Sequence, residues 1–275
     1  MSKKSLLNLA LLFIVITLAS VIYFAEEKST KLEVLSTIDA NSILTINIQH
    51  NIQTTTIEKQ KGNEWLITKP VSVAANNFRI SSLLKLVNAP IHSHYSISEI
   101  DLISTGLQNS KTSVTLDDSS IIFGSTNPAT GLRFIQMDNT AYTIEDVYFP
   151  LLSSHFGTLV SLNLLPANSL VTKLILLNQT ISKDNANRWQ SNLPSISTDL
   201  INTTINHWKN LQAFGVREYI ERDSLGEVFI YAEDRQEAIR FTITDTDPWL
   251  ILARPELGLE YHLDIAAYDK LIAPQ

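Results

Sequence analysis

Ser82 and Lys85 are the residues whose spacing comes closest to a known nucleophile and base. They match S-x-x-K, in which a lysine accompanies the reactive serine of penicillin-recognising enzymes. Such enzymes also need an S-x-N element and then a K-T-G strand. Here the nearest matches occur in reverse order and the final glycine is a serine: Lys111-Thr112-Ser113 and Ser161-Leu162-Asn163. Ser82 also falls within a predicted helix rather than at its start, so we predict no catalytic residues.

His92 and His94 place two imidazole side chains on one face of a predicted strand, which is a possible beginning of a zinc site. No third ligand is predictable nearby, and there is no H-E-x-x-H motif. The 275 residues contain 6 histidines and no cysteine. The two histidines are therefore interpreted as surface residues of a strand, and we predict no metal site.

Two pairs of aspartates could be read as the carboxylates of a glycoside hydrolase or as a calcium loop. They are Asp117-Asp118 and Asp245-Thr246-Asp247, the second followed by Pro248. Both lie between predicted strands, where aspartate and proline form turns, and turns are the favoured interpretation. Glycan binding by tryptophan is also weighed against packing in the core, and the core is favoured for Trp65, Trp189, Trp208 and Trp249.

Glycine-rich phosphate loops are absent from the sequence. It has only 8 glycines and neither G-x-G-x-x-G nor G-x-x-x-x-G-K-[ST]. We therefore predict no cofactor. Acidic residues outnumber basic residues by 28 to 21, and a nucleic-acid partner would require a basic surface. The sequence therefore predicts no nucleic-acid binding.

The first predicted structural element is an uncharged run of 19 residues, Leu6–Phe24. As a helix it would be about 28 Å long, close to the hydrocarbon core of about 30 Å. The run is longer than the apolar part of a signal peptide and lacks a good cleavage site. We expect an uncleaved transmembrane anchor, with a cleaved signal peptide or a buried helix as alternatives. Lys3 and Lys4 would stay in the cytoplasm and the body would be exported.

The remaining chain reads as an α+β fold with antiparallel sheets. Short alternating runs predict a β-meander from Ser42, and Asn76–Asn88 has helical spacing before further strands follow. The same order recurs in the second half around a predicted helix at Thr198–Ala213. Runs of strands followed by a helix are typical of α+β proteins.

An internal duplication is indicated by matches at a constant spacing of 124 positions. Trp65 corresponds to Trp189, Leu84 to Trp208 and Ala89 to Ala213. A later match joins Gly131-Leu132-Arg133-Phe134 to Gly258-Leu259-Glu260-Tyr261. The alternative to a duplication is chance similarity between two α+β halves. The predicted divisions are a cytoplasmic stub (1–5), an anchor (6–24), a juxtamembrane segment (25–41) and two tandem repeat units of meander, helix and meander (42–158 and 159–275).

The order of short motifs after Trp65 resembles a known family. The motifs are W-L-I-T-K-P-V, S-S-L-L-K-L-V, Ser104-Thr105-Gly106-Leu107, Phe123-Gly124-Ser125-Thr126-Asn127-Pro128, Gly131-Leu132-Arg133-Phe134 and Ala141-Tyr142-Thr143-Ile144. Together they resemble the bacterial domain-of-unknown-function 4340 family over roughly Glu64 to Ser154. The resemblance implies a membrane-anchored exported protein without an established enzymatic activity, some of whose relatives are associated with export or motility machinery. It would place the chain in the bacterial inner membrane with a periplasmic body.

Two functions follow as hypotheses. The first is a non-enzymatic cell-envelope protein that binds other envelope proteins, as an accessory of a membrane export or assembly complex. The second is a module that binds a small molecule or a glycan at the seam between the two repeat units.

Overall fold

The structure is a computed structural model that describes residues 3–24, 32–233 and 235–274. The first helix, α1, spans Lys3–Phe24. The side chains described within it are Ser5, Asn8 and residues 11–20, which are exposed.

The predicted membrane anchor at Leu6–Phe24 is corrected by the structure. A membrane-spanning helix needs about 20 consecutive apolar residues. Over the residues described, no helix is long and apolar enough to cross a membrane. This finding overturns the predicted transmembrane helix, the signal anchor and the single-pass inner-membrane localisation with a periplasmic body.

The first sheet contains nine antiparallel strands from the described part of the chain. They are β1 (Thr45–His50), β2 (Gln53–Lys59), β3 (Trp65–Lys69), β4 (Val73–Ala74), β5 (Ser93–Ser96), β6 (Thr112–Leu116), β7 (Ser119–Thr126), β8 (Leu132–Met137) and β9 (Thr140–Glu145). Their order across the sheet is β4-β3-β2-β1-β6-β7-β8-β9-β5. Buried and more accessible residues alternate along β6, as the strand period of two requires.

The second sheet contains eight antiparallel strands within the described residues. They are β10 (Val171–Ile175), β11 (Thr180–Lys183), β12 (Trp189–Ser191), β13 (Gly215–Glu218), β14 (Gly226–Ala232), β15 (Ile239–Asp245), β16 (Trp249–Arg254) and β17 (Leu259–Asp264). Their order is β12-β11-β10-β14-β15-β16-β17-β13. This is the order of the first sheet when β4 is left out, so each strand of the second sheet has a topological counterpart in the first.

In the described ranges, four further α-helices accompany the sheets: α2 (Asn77–Leu84), α3 (Phe149–Ser153), α4 (Thr198–Asn210) and α5 (Ala267–Leu271). The helices α2 and α4 occupy equivalent places, each after the third strand that the two sheets have in common. Asn76 and Ser197 begin them by accepting a hydrogen bond from a backbone N–H of the first turn. These helices have only 8 and 13 residues against sheets of nine and eight strands. The fold is therefore mainly β, and the predicted α+β class with an N-terminal transmembrane helix is wrong.

The segment between the sheets, residues 156–165, is hydrogen-bonded to both halves; we call it the inter-unit segment. Its Ser161 N–H donates to the carbonyl of Ala74 at 2.8 Å, and its Leu162 carbonyl accepts from the Ala213 N–H at 2.9 Å. Leu159, Val160, Leu164 and Leu165 are buried in one hydrophobic core shared by the two sheets. The predicted boundary between residues 158 and 159 falls inside this segment.

A lysine stacked on a tryptophan recurs at equivalent places in the two sheets. Lys59 at the end of β2 lies opposite Trp65 at the start of β3, with the ammonium 5.8 Å from the ring centroid. Lys183 and Trp189 repeat this pair on β11 and β12 at 5.5 Å. The two lysines are as far apart in the sequence as the two tryptophans. The strand order and the sequence therefore give the same alignment of the two halves at this place.

The second alignment drawn from the sequence joins strands that are not equivalent. Gly131 precedes β8, whereas Gly258 precedes β17, and the topological counterpart of β17 is β9. Tyr142 of β9, rather than Phe134 of β8, is therefore the counterpart of Tyr261. The similarity arises because a glycine turn followed by an alternating strand occurs at more than one hairpin.

Candidate functional site

Ser82 and Lys85, weighed in the sequence as a nucleophile and base, lie on one helix and on the turn that follows it. Ser82 lies inside α2, and its hydroxyl donates to the carbonyl of Phe78 at 3.0 Å. Lys85 begins the following 3-10 turn (Lys85–Asn88) and is exposed. The remaining parts of the motif also serve the backbone: the Ser161 hydroxyl accepts from the Asn163 N–H at 3.3 Å.

His92 and His94 lie at one edge of the first sheet, and both are exposed. His92 uses its backbone N–H to bind the carbonyl of Thr143 at 2.9 Å. Across the described ranges, no group of three or more His, Asp or Glu side chains is placed to hold a metal ion.

The two aspartate pairs are bound to the backbone of turns. The Asp117 carboxylate accepts from the N–H groups of Leu44 and Thr45, which fastens the β6–β7 turn to the start of β1. The Asp245 carboxylate accepts from Thr246 and Asp247 at 2.8 and 3.1 Å in the β15–β16 turn.

The four tryptophans occupy different environments. Trp208 is fully buried under the second sheet, and its indole N–H donates to the carbonyl of Leu271 at 3.0 Å. Trp65 is buried and Trp189 is half-buried. Trp249 is 44% exposed and packs edge-on against Phe214.

A cleft runs along the seam where the first half, the inter-unit segment and the β16–β17 hairpin meet; we call it the seam cleft. It has a volume of about 310 Å³. Both halves contribute to its walls, among them Trp65, Ala74, Ser161, Arg235, Arg254 and Tyr261. Apolar surface with a few polar groups is typical of sites for small molecules, which usually span about 300 to 1,000 Å³.

Arg254, the last residue of β16, is held in place at the wall of the seam cleft. Its Nε donates to the Glu256 carboxylate at 2.9 Å, and its guanidinium lies 5.6 Å from the ring centroid of Phe241. The side chain is only 14% exposed. Neither of its terminal nitrogens donates a hydrogen bond to any residue that the structure describes. The guanidinium is therefore held in one orientation, and no described residue uses its two terminal nitrogens as hydrogen-bond donors.

Tyr261 stands beside it in the centre of β17. Its ring packs edge-on against Phe241 at 5.9 Å, and the residue is 2% exposed. Within the described part of the chain its hydroxyl has no hydrogen-bond partner. Burial raises the pKa of this hydroxyl, while the charge of Arg254 opposes that rise. The phenol therefore keeps its proton, and remains a donor, at neutral pH.

A second polar cluster is buried on the opposite face of β17. Glu260 accepts from Arg222 at 2.6 Å, from His262 at 2.8 Å and from the Ile220 N–H at 3.2 Å. Every carboxylate oxygen is already bound, so this cluster fastens the chain at Ile220–Arg222 to the sheet rather than offering a site.

Several residues at the seam cleft stand out in the sequence, but for other reasons: Trp65 as a core residue, Ser161 and Asn163 as an S-x-N element, and Tyr261 as part of a repeat match. Arg254 ends an unbroken apolar run on β16, and Tyr261 alternates with Glu260 and His262 on β17, so both look like ordinary strand residues. They meet Ala74 only through the packing of the two halves. The hypothesis of a site at the seam was the one feature that pointed to this region.

Comparison with known proteins finds no match for the chain among family models, curated proteins or solved structures. The resemblance to the domain-of-unknown-function 4340 family therefore stays a prediction based on its short motifs.

Proposed function

We propose that this protein is a non-enzymatic binding protein whose seam cleft receives a small molecule. The observation that carries the proposal is the cleft itself, because its walls come from both halves and combine apolar surface with oriented donors. The inter-unit segment is hydrogen-bonded on both sides, so the cleft is formed in advance of binding.

The proposal can be tested by nuclear magnetic resonance on the full chain with phenylacetamide, a neutral aromatic probe. We expect its addition at millimolar concentration to shift amide signals of Leu66, Ala74, Ser161 and Tyr261, which line the cleft. Ala74→Leu should abolish these shifts because the larger side chain occupies the cleft. Ala129→Leu is the matched control, since Ala129 is exposed on a turn of the first half. Shifts that survive Ala74→Leu, or no shifts at these residues, would refute the proposal.

Binding of another protein is the second candidate, and a groove on the second sheet favours it. The groove has a volume of about 350 Å³ and is lined by Leu225, Ile265 and Tyr268. Leu225 is 54% exposed and Ile265 is 42% exposed. Apolar side chains exposed together are typical of interaction surfaces. Crosslinking followed by affinity purification tests this candidate: Leu225→Glu should remove the captured partner, and Leu170→Glu, at another exposed leucine, should not.

A further inference from the structure

We propose that the ligand of the seam cleft carries a carboxylate or phosphate group, which Arg254 and Tyr261 bind together. This inference rests on the proposed function and names the chemical class that the site selects. Its basis is a pair of donors on adjacent strands of the second sheet, neither of which has a partner among the residues that the structure describes.

The geometry of Arg254 favours an anion. A guanidinium offers two parallel N–H donors that match the two oxygens of a carboxylate or phosphate. Glu256 binds only the Nε, and Phe241 supports the planar group, so the two terminal nitrogens are left in a fixed orientation. The Arg254 side chain is therefore already ordered, so ligand binding does not have to reduce its conformational entropy.

Tyr261 adds a donor that no residue in the described ranges uses. The residue is 2% exposed, yet its hydroxyl oxygen is not among the fully buried side-chain atoms that lack a hydrogen-bond partner within the described residues. That hydroxyl therefore reaches the cleft, where an acceptor on a ligand can replace water as its partner. A neutral phenol next to a guanidinium donates to an anion without repelling it.

The charges around the cleft agree with this assignment. The chain as a whole has a net charge of −7, yet Arg235 and Arg254 both line the cleft. Glu64 is the acidic residue among its lining residues, and it is exposed. Glu256 compensates part of the charge of Arg254 but leaves its terminal donors available, so an anion still gains from the local field.

The site belongs to the second half alone. In the first sheet, Tyr142 is the topological counterpart of Tyr261, and Met137, the last residue of β8, is the counterpart of Arg254. A methionine cannot provide the charged fork. Both halves therefore have the same arrangement of strands, but only the second half has this pair of donors. This is the pattern expected if the second copy acquired the site after the duplication.

The test compares three probes on the full chain by calorimetric titration: phenylacetate, phenyl phosphate and the neutral phenylacetamide. We expect at least one anion to bind about tenfold more tightly than the amide. Arg254→Gln should remove that preference by weakening anion binding about tenfold, and Arg254→Lys should keep only part of it because the ammonium lacks the fork. Tyr261→Phe should weaken anion binding about threefold or more. Arg240→Gln is the control, since Arg240 pairs with Glu227 on the same sheet away from the cleft.

The outcomes separate this inference from the function on which it rests. If none of the three probes binds in the cleft, both fail. If the amide binds as tightly as both anions, or if Arg254→Gln leaves the anion preference intact while its thermal unfolding matches wild type, the inference fails and the seam cleft remains a site for neutral ligands. A preference between the two anions identifies the acidic group.

Discussion

At the scale of single residues, the buried carboxylate of Glu260 shows how this fold tolerates charge. Glu260 is 1% exposed and accepts from Arg222, His262 and a backbone N–H. Burial raises the pKa of the carboxyl, but the hydrogen bonds from these three groups outweigh burial, and the pKa lies below its ordinary value. The charged form is therefore the one that the folded state stabilises.

Replacing this carboxylate should destabilise the protein in a pH-dependent way. We expect Glu260→Gln to lower the free energy of unfolding by about 3 kcal/mol at pH 7, because Arg222 loses its buried partner. Since the folded-state pKa is depressed, the contribution is present above the unfolded-state pKa and is lost as the pH falls through the folded-state pKa. Urea unfolding at decreasing pH should therefore show the two proteins converging in acid.

The control for this change is Glu227→Gln on the exposed pair with Arg240, where the charged atoms are 3.6 Å apart. A change below about 0.5 kcal/mol is expected there. Equal losses at the two positions would contradict the role given to Glu260.

At the scale of elements, the loop before β6 lies directly on the backbone of β7. The Ser125 N–H donates to the carbonyl of Thr105 at 2.8 Å. A Cβ on Gly124 would lie 2.4 Å from that carbonyl oxygen and 3.0 Å from the Leu107 side chain. The absence of a side chain at Gly124 is what allows the loop to cover the strand.

Gly124→Ala should therefore destabilise the first half by forcing this loop away from β7. We expect a loss of about 2 kcal/mol, in the range of overpacked sites. Gly215→Ala is the matched control on β13, where a Cβ would meet no atom within 4 Å. It should change stability by less than about 0.5 kcal/mol. Thermal unfolding of both variants checks this, and a neutral Gly124→Ala would mean that the loop is not closely packed.

Sequence patterns predicted many elements well because those patterns are local. The helix expected at Asn76–Asn88 is found as α2 and the 3-10 turn that follows it, and the helix expected at Thr198–Ala213 is found as α4. The pairing of Gly131 with Gly258 failed because hairpin signals look alike from one hairpin to the next. The seam cleft could not be predicted in detail, since Trp65 and Arg254 meet only when two distant halves pack.

At the scale of the whole molecule, the two sheets share one hydrophobic core and one connecting segment. Leu159 and Val160 are buried in that core, and residues on either side of them bind the two halves. Because the two sheets share this core, they could not separate without exposing its apolar residues to water. We therefore expect the described body to unfold as a single cooperative unit.

Leu159→Ala tests that cooperativity. The change should cost about 3 kcal/mol by leaving a cavity, and both halves should lose stability equally. Hydrogen exchange at the Ile46 and Ile230 amides, one in each sheet, reports the two halves separately. Leu170→Ala is the control, because Leu170 is 56% exposed. Faster exchange at only one of the two amides would show that the halves unfold independently.

The burial of the inter-unit segment also reverses the usual pattern of protease sensitivity. In a two-part protein, the connection is ordinarily the first place a protease cleaves, because it is exposed and irregular. Here most of residues 156–165 are buried, whereas the tip of the β11–β12 hairpin carries Arg188 with a side chain 79% exposed. Within the described body, trypsin should therefore nick the second half internally and leave both halves associated through their common core.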